Sequence, residues 1–353
     1  LAWLTLSTPV MRDAEISKHK QVIAFLTGLL FITHPLATQS VTYIIQRFAS
    51  LAALFYLLSL ALFVQGKLWQ GERKVSWLLF GGAVLSALLG MRTKEIVFTL
   101  PFAIILYDFC FLKRSPWQWK WRDESLLVAG AILFVFIYWA LGVVSLKRFD
   151  PVEPGQGYAY AISMKEYFFT QFSVILTYIR LLILPVNQNL DHDFPIAGVF
   201  FQFRTILSFS ALLLLFAAGV LLFKKYRLIA FGIFWFFLTL SVESSIIPIS
   251  QNVIFEHRTY LPSVGFFIAL TGLIFYFFTK RYLKAAVIIL LIVASVNAVL
   301  TYERNKVWKN EYTLWADCLQ KSPNKERSNE NFGFALYKMG KFKEALHYYN
   351  RAI

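Results

Sequence analysis

Nine long apolar stretches, separated by short polar segments, dominate the chain. They cover residues 21–36, 48–65, 75–91, 96–112, 125–145, 205–223, 228–246, 262–279 and 285–302. A helix needs about 20 apolar residues to cross the hydrocarbon core of a bilayer, and about 17 is near the lower limit, so each stretch predicts one crossing. A tenth candidate, 166–184, is interrupted by Gln171, Ser173, Thr177 and Arg180, and hydropathy alone leaves its place open.

The polar segments decide it. Arg12/Lys18/Lys20, Lys67/Arg73/Lys74, Lys113/Arg114/Lys120/Arg122, Lys224/Lys225/Arg227 and Lys280/Arg281/Lys284 form five basic clusters. All five share one side only if 166–184 does not cross, and the excess of Lys and Arg in cytoplasmic loops then makes that side cytoplasmic. On this reading 166–184 is an interfacial or re-entrant helix. The outer segments are 35–47, 92–95, 146–204, 247–261 and everything after Tyr302. Four of the five histidines, His34, His192, His257 and His347, are on that side, His34 at the end of the first stretch.

After Tyr302 the period changes. From Asn331 the chain reads NFGFALYKMGKFKEALHYYNRAI, with Gly333, Gly340, Phe342, Ala345, Tyr349 and Ala352 in the places of a tetratricopeptide repeat. Small residues at 333 and 345 let paired helices approach, while Phe342 and Tyr349 fill the gap. Residues 312–319 followed by Ser322, Pro323 and Asn324 read as a preceding half-repeat, and 302–308 as the hinge. The predicted fold class is therefore all-α: a polytopic transmembrane bundle over 1–302 and the start of a tetratricopeptide-repeat solenoid over 303–353. A solenoid core needs at least three repeats, so more are expected beyond Ile353.

Composition agrees with lipid as the solvent. The chain is 58% hydrophobic, 18% aromatic and 16% charged over 353 residues, outside the range of a soluble globular domain. A net charge of +15 raises nucleic acid as a partner, but the basic residues lie in small groups between apolar runs instead of on one face. Cys110 and Cys318 have neither metal nor redox spacing.

Four outward segments are hard to explain as membrane packing, because charged groups there are costly in lipid and should face a polar cavity or the interface. They are HPLATQSVTYIIQR (34–47), RTKE (92–95), PVNQNLDHDFP (185–195), and ESSIIP followed by FEHRTYLPSVG (243–265). With the repeats, their order and spacing resemble the membrane protein O-mannosyltransferase-like family with tetratricopeptide repeats, whose members have the C-type glycosyltransferase fold (GT-C). The motif style also suggests a bacterial inner membrane, with the repeats outside.

The resemblance implies an inverting transferase that moves a sugar from a polyprenyl-phosphate donor to a protein hydroxyl on the outer face. It also implies a catalytic acidic residue in a first outer loop between two further crossings. The chain opens at Leu1 instead of Met and stops within a repeat, so both ends read as trimmed and that residue is expected upstream.

A phosphate leaving group needs preorganised positive charge as the bond breaks. Arg258 and Lys94 are the leading candidates for donor-phosphate contact, with Arg47 and Arg92 behind them. The plainer alternative pairs Lys94 with Glu95 and Arg258 with Glu256 as loop clasps. His34, Glu95, Glu243, Glu256 and His257 are candidate cavity groups. A His before Pro at a helix end also suits capping of a freed carbonyl. Asp191, His192 and Asp193 offer donors for a divalent metal, although three adjacent residues converge poorly and a loop-organising role fits them better. A non-catalytic membrane scaffold that presents repeats for peptide binding is the alternative function. A transporter would require internal inverted repeats, and the sequence offers no convincing duplication.

Overall fold

The computed structural model describes residues 1–113, 130, 134, 162–244, 252–278 and 282–353. The expected crossing 125–145, apart from two residues, and positions 245–248 of the ESSIIP motif lie outside the described residues.

The described chain is all helical. Its α-helices are α1 (Ala2–Leu6), α2 (Lys20–Thr33), α3 (Ala37–Thr42), α4 (Arg47–Leu68), α5 (Arg73–Met91), α6 (Leu100–Tyr107), α7 (Met164–Ile183), α8 (Phe203–Leu222), α9 (Arg227–Leu240), α10 (Tyr260–Phe278), α11 (Leu283–Val307), α12 (Glu311–Lys321), α13 (Glu326–Lys338) and α14 (Phe342–Ala352). Six helical units among the described residues are long and apolar enough to cross a membrane: Ile44–Leu68, Arg73–Met91, Glu95–Leu112, Phe203–Leu222, Glu256–Phe278 and Leu283–Val307. The chain is an integral membrane protein. In α8 and α11 only 22% of the apolar window is buried inside the protein, and the remaining side chains face outward as lipid-facing surfaces must.

Two expected crossings are shorter as helices. The helix α2 has 14 residues because Pro35 disfavours the helical conformation for the residue before it, and His34 lies in extended backbone. The helix α9 also has 14 residues and gives way to turns after Leu240. The interrupted segment forms a full helix, α7, started by a reciprocal capping box between Ser163 and Glu166. Ser163 donates to the Glu166 carboxylate and holds it below its usual carboxylate range. With 20 residues α7 has the length to cross, but its polar positions keep it out of the six apolar spans. Of those positions Gln171 and Ser173 lie on its buried face with Tyr167, Thr170, Val174, Tyr178 and Leu181, while Thr177 is half-buried and Arg180 exposed.

The helices α9 and α10 meet backbone to backbone. A Cβ on Gly232 would overlap the Gly265 carbonyl oxygen, so only glycine permits this crossing. Trp235, one helical turn further on, donates its indole N–H to the Leu261 carbonyl at 3.0 Å. Together these contacts fix the start of α10, and with it the preceding turn Glu256–Thr259.

At the C-terminus, α13 and α14 form the hairpin read from the sequence. A Cβ on Gly333 would lie 3.1 Å from the Tyr349 ring and 3.2 Å from the Ala345 carbonyl. Gly340 turns the chain between the helices with φ +77°. The expected hinge is mostly helix: α11 runs unbroken through Tyr302 to Val307, and the turn falls at its end, before Asn310 caps α12.

Candidate functional site

The turn Glu256–Thr259 brings four consecutive residues into the interior, where Glu256, His257, Arg258 and Thr259 are all at most 5% exposed. Adjacent side chains of a tight turn point in different directions, and here each meets a different segment.

Arg258 points to α7. Its Nη1 donates to the Tyr167 hydroxyl at 3.0 Å and lies 3.4 Å from the Val253 carbonyl, while the guanidinium packs over Phe255. Tyr167 donates in turn to the Glu243 backbone carbonyl at 2.8 Å. Burial raises the Tyr167 phenol above its ordinary range, with the charge of Arg258 working against that shift. Gln171, one turn along α7, donates to Val253, and Tyr178 accepts the Phe255 N–H at 3.0 Å. Three turns of α7 therefore hold the strand of chain that leads into the site.

Lys94 pairs with the carboxylate of Glu243, with Lys94 14% and Glu243 5% exposed at their side chains. Glu95 begins a separate short helical turn, Glu95–Thr99. The charges of Lys94 and Arg258 both bear on the His257 ring, so the three side chains share one neighbourhood with Glu243. Two cationic side chains and one acidic one give the cluster a formal charge of +1.

His257 is placed by α3. Its backbone N–H donates to Gln39 Oε1 at 2.6 Å, across 218 residues of sequence. His34 caps a carbonyl: its Nδ1 accepts the Leu36 N–H at 3.3 Å, which leaves Nε2 to donate to Leu182 at 3.2 Å. That is the capping role open to a His before Pro.

Glu256 turns away from this cluster toward the 185–195 loop. Its Oε1 accepts the Asn189 N–H at 2.6 Å and lies 3.0 Å from His192 Nε2. Asp191 is 1% exposed and pairs with Lys325 of the first repeat helices at 2.7 Å, with Arg327 at 3.9 Å. Asp193 is exposed, and its backbone N–H donates to Ser322. Asp191 and His192 thus point to different partners, and no group of three His, Cys, Asp or Glu side chains suited to a metal occurs among the described residues. Instead the loop docks the repeats: Leu190 shares a core with Trp315, Cys318, Phe332, Leu336 and Ala345.

Two cations stand apart. Arg92 is exposed at the end of α5. Arg47 donates Nε to the Val41 carbonyl at 2.9 Å and lines an open groove of about 460 Å³ with Ile44, Phe48, Leu51 and Leu54.

The structure therefore brings together Lys94, Glu243, His257 and Arg258, sends Glu256, Asp191 and His192 to a joint with the repeats, and leaves Arg47 and Arg92 outside. Tyr167, Gln171, Gln39 and Lys325 complete the arrangement and were missed as candidates. For α7 the signal lay in spacing, since Tyr167, Gln171, Val174 and Tyr178 recur at the i, i+4, i+7, i+11 positions of one helical face.

With that geometry in view, the chain has recognisable relatives. The Drosophila melanogaster protein O-mannosyl-transferase Tmtc3 is 25% identical over 94% of this chain and 40% of its own length. The Caenorhabditis elegans protein O-mannosyl-transferase F38B6.6 is 28% identical over 94% of this chain and 46% of its own length. The chain is similar to protein O-mannosyl-transferases. The human protein O-mannosyl-transferase TMTC2 is 28% identical over 35% of this chain and 15% of its own length. The chain spans less than half the length of the first two relatives. No family model and no solved structure matches it.

Proposed function

We propose that the chain is the central membrane portion of a GT-C-type glycosyltransferase that transfers a sugar, mannose by the relatives' names, from a polyprenyl-phosphate donor to a protein hydroxyl on the non-cytoplasmic face. The names of the relatives support the reaction class. The observation that carries the site is the buried cluster of Lys94, Glu243, Arg258 and His257. Burying three ionised groups is costly, and such groups in membrane proteins generally serve a polar ligand or pathway.

Its single net positive charge complements a glycosyl phosphodiester, which carries one negative charge. Lys94 binds the phosphate as a point charge, held in place by Glu243. Arg258, anchored through Nη1 to Tyr167, orients the rest of its fork toward the phosphate oxygens. Charge grows on that phosphate as the glycosidic bond breaks, so fixed cations stabilise the transition state more than the bound donor. An acidic residue outside this cluster deprotonates the acceptor. The helices α12 to α14 begin a tetratricopeptide array that recruits the polypeptide acceptor, and the 185–195 loop holds that array against the membrane domain.

The test is transfer of labelled mannose from polyprenyl phosphate to protein by the full-length enzyme in detergent. Transfer by the native protein and its loss in Lys94→Met support the proposal. Full activity of Lys94→Met removes the cluster from the site, and a native protein that neither transfers nor binds the donor favours the scaffold reading.

A further inference from the structure

Buried polar side chains normally find partners, and each that does not calls for an explanation. Two unpartnered atoms lie on residues joined by one backbone bond, Gln39 and His257. Gln39 is 2% exposed, and its Oε1 is committed to the His257 N–H. That bond fixes the amide: a flipped side chain would set an NH2 against the backbone N–H, two donors facing each other. Gln39 Nε2 therefore points away from His257 N with both its hydrogens, and it has no hydrogen-bond partner. His257 is 5% exposed, and its Nδ1 is likewise without a partner. The backbone bond ties the two residues together, and the Lys94 charge bears on the same ring.

An unmet buried donor costs about 1–3 kcal/mol, and here an amide donor and an imidazole nitrogen are both left unmet beside a cationic cluster. The Gln39 amide alone could donate to a phosphate oxygen, but the amide NH2 and the His257 ring nitrogen are met together by hydroxyl groups. An amide NH2 and an imidazole nitrogen suit neutral hydroxyl groups, which both donate and accept. We propose that Gln39 and His257 form a hydroxyl-recognition pair that holds the sugar of a polyprenyl-phosphate donor while Lys94 and Arg258 hold its phosphate. This rests on the donor reading above and adds to it the residues that read the sugar.

The pair makes sugar recognition separable from phosphate recognition. Two ligands distinguish them: a polyprenyl phosphomannose, and the same polyprenyl phosphate without sugar. Both are titrated into the full-length protein in detergent. Gln39→Leu removes both the donor and the acceptor, while Gln39→Glu keeps an oxygen for the His257 N–H and exchanges the NH2 for a carboxylate oxygen whose charge opposes a phosphate. Both variants are expected to bind the phosphomannose about three- to tenfold more weakly, the range for one or two neutral hydrogen bonds. Binding of the bare phosphate is expected to stay within twofold of native in Gln39→Leu, and in Gln39→Glu to weaken less than binding of the phosphomannose. Lys94→Met is expected to weaken both ligands.

Equal weakening of both ligands in the two Gln39 variants, or no weakening of either, would overturn the hydroxyl-recognition role. Failure of the native protein to bind either ligand would overturn the donor reading itself and this inference with it. Thermal unfolding of Gln39→Glu close to native certifies that its binding loss is local. A large fall in stability with unchanged discrimination between the ligands assigns Gln39 to the scaffold of α3 and overturns the role.

Discussion

Asn189 donates its backbone N–H to the Glu256 carboxylate at 2.6 Å, joining the loop that docks the repeats to the turn that carries His257 and Arg258. His192 contacts the same carboxylate oxygen, so one buried side chain organises both segments. Glu256→Ala leaves the Asn189 N–H unpaired in the interior and is expected to cost about 1–3 kcal/mol. Glu256→Gln keeps an acceptor oxygen and is expected to cost less than half as much. Thermal unfolding of the two variants in the same detergent gives the comparison, and equal losses would remove the Asn189 bond as the cause.

The other end of that loop is held by charge. Asp191 is 1% exposed at its side chain and Lys325 21%, at 2.7 Å. Removing the lysine strands a buried carboxylate, which is strongly destabilising, though Arg327 at 3.9 Å and the partial exposure of Lys325 soften the effect. Lys325→Met is expected to cost about 1–3 kcal/mol and to expose 185–195 to limited proteolysis. Adding Asp191→Asn to Lys325→Met is expected to restore protection. Deleting everything after Trp308 should likewise leave a membrane domain with a protease-sensitive loop, because Leu190 loses its core and Asn189 loses Ser322. Unchanged cleavage kinetics in all three proteins would contradict the joint.

Much of this architecture was legible in the sequence, and what was not has a physical reason. The apolar runs 48–65 and 75–91 became Arg47–Leu68 and Arg73–Met91, because membrane helices satisfy their backbone locally and need only length and hydropathy. Gly333, Ala345 and Tyr349 meet as the repeat pattern requires. The pairings of Lys94 and Arg258 were not legible. Sequence proximity suggested Glu95 and Glu256, whereas the fold supplies Glu243 and Tyr167 from distant segments. Residues next to each other in a tight turn diverge, so nearest neighbours in sequence make poor ion-pair partners there. One of the polar residues that disqualified α7 as an apolar span, Gln171, holds the segment leading into the site, beside Tyr167 and Tyr178.

Helix crossing offers a test free of any functional assumption. Gly232→Ala drives a methyl group into the Gly265 carbonyl and is expected to destabilise the membrane domain by about 1–3 kcal/mol. Gly28→Ala adds its Cβ where nothing lies within 4 Å, and is expected to be neutral or to stabilise by about 0.5–1 kcal/mol through helix propensity. Similar unfolding temperatures for the two variants would contradict the close approach of α9 and α10.

The thiols permit a clean topology experiment. Cys110 and Cys318 are both fully buried, and burial pushes the Cys318 thiol up to about 11. Below that pH the unreactive neutral thiol predominates, so the native protein should label slowly with maleimide at pH 7, and labelling of Cys318 should rise as the pH approaches 11. An added cysteine at exposed Ile196 is then the reporter for the loop. Ile196→Cys is expected to react with a membrane-impermeant maleimide from the non-cytoplasmic side. Reaction only after the cytoplasmic face is opened would mean that α7 crosses the bilayer.

The most direct measurement of the central claim is the single-turnover rate of sugar transfer by full-length Arg258→Lys, taken at saturating donor beside the native enzyme. Lysine keeps the charge but loses the fork by which Arg258 holds Tyr167 through one nitrogen and, as proposed, meets phosphate with the others. The expected result is a fall in rate on the order of a hundredfold, the size seen when one preorganised donor is lost, with donor affinity changed far less. A rate within twofold of native, for this variant or for Arg258→Gln, would contradict it.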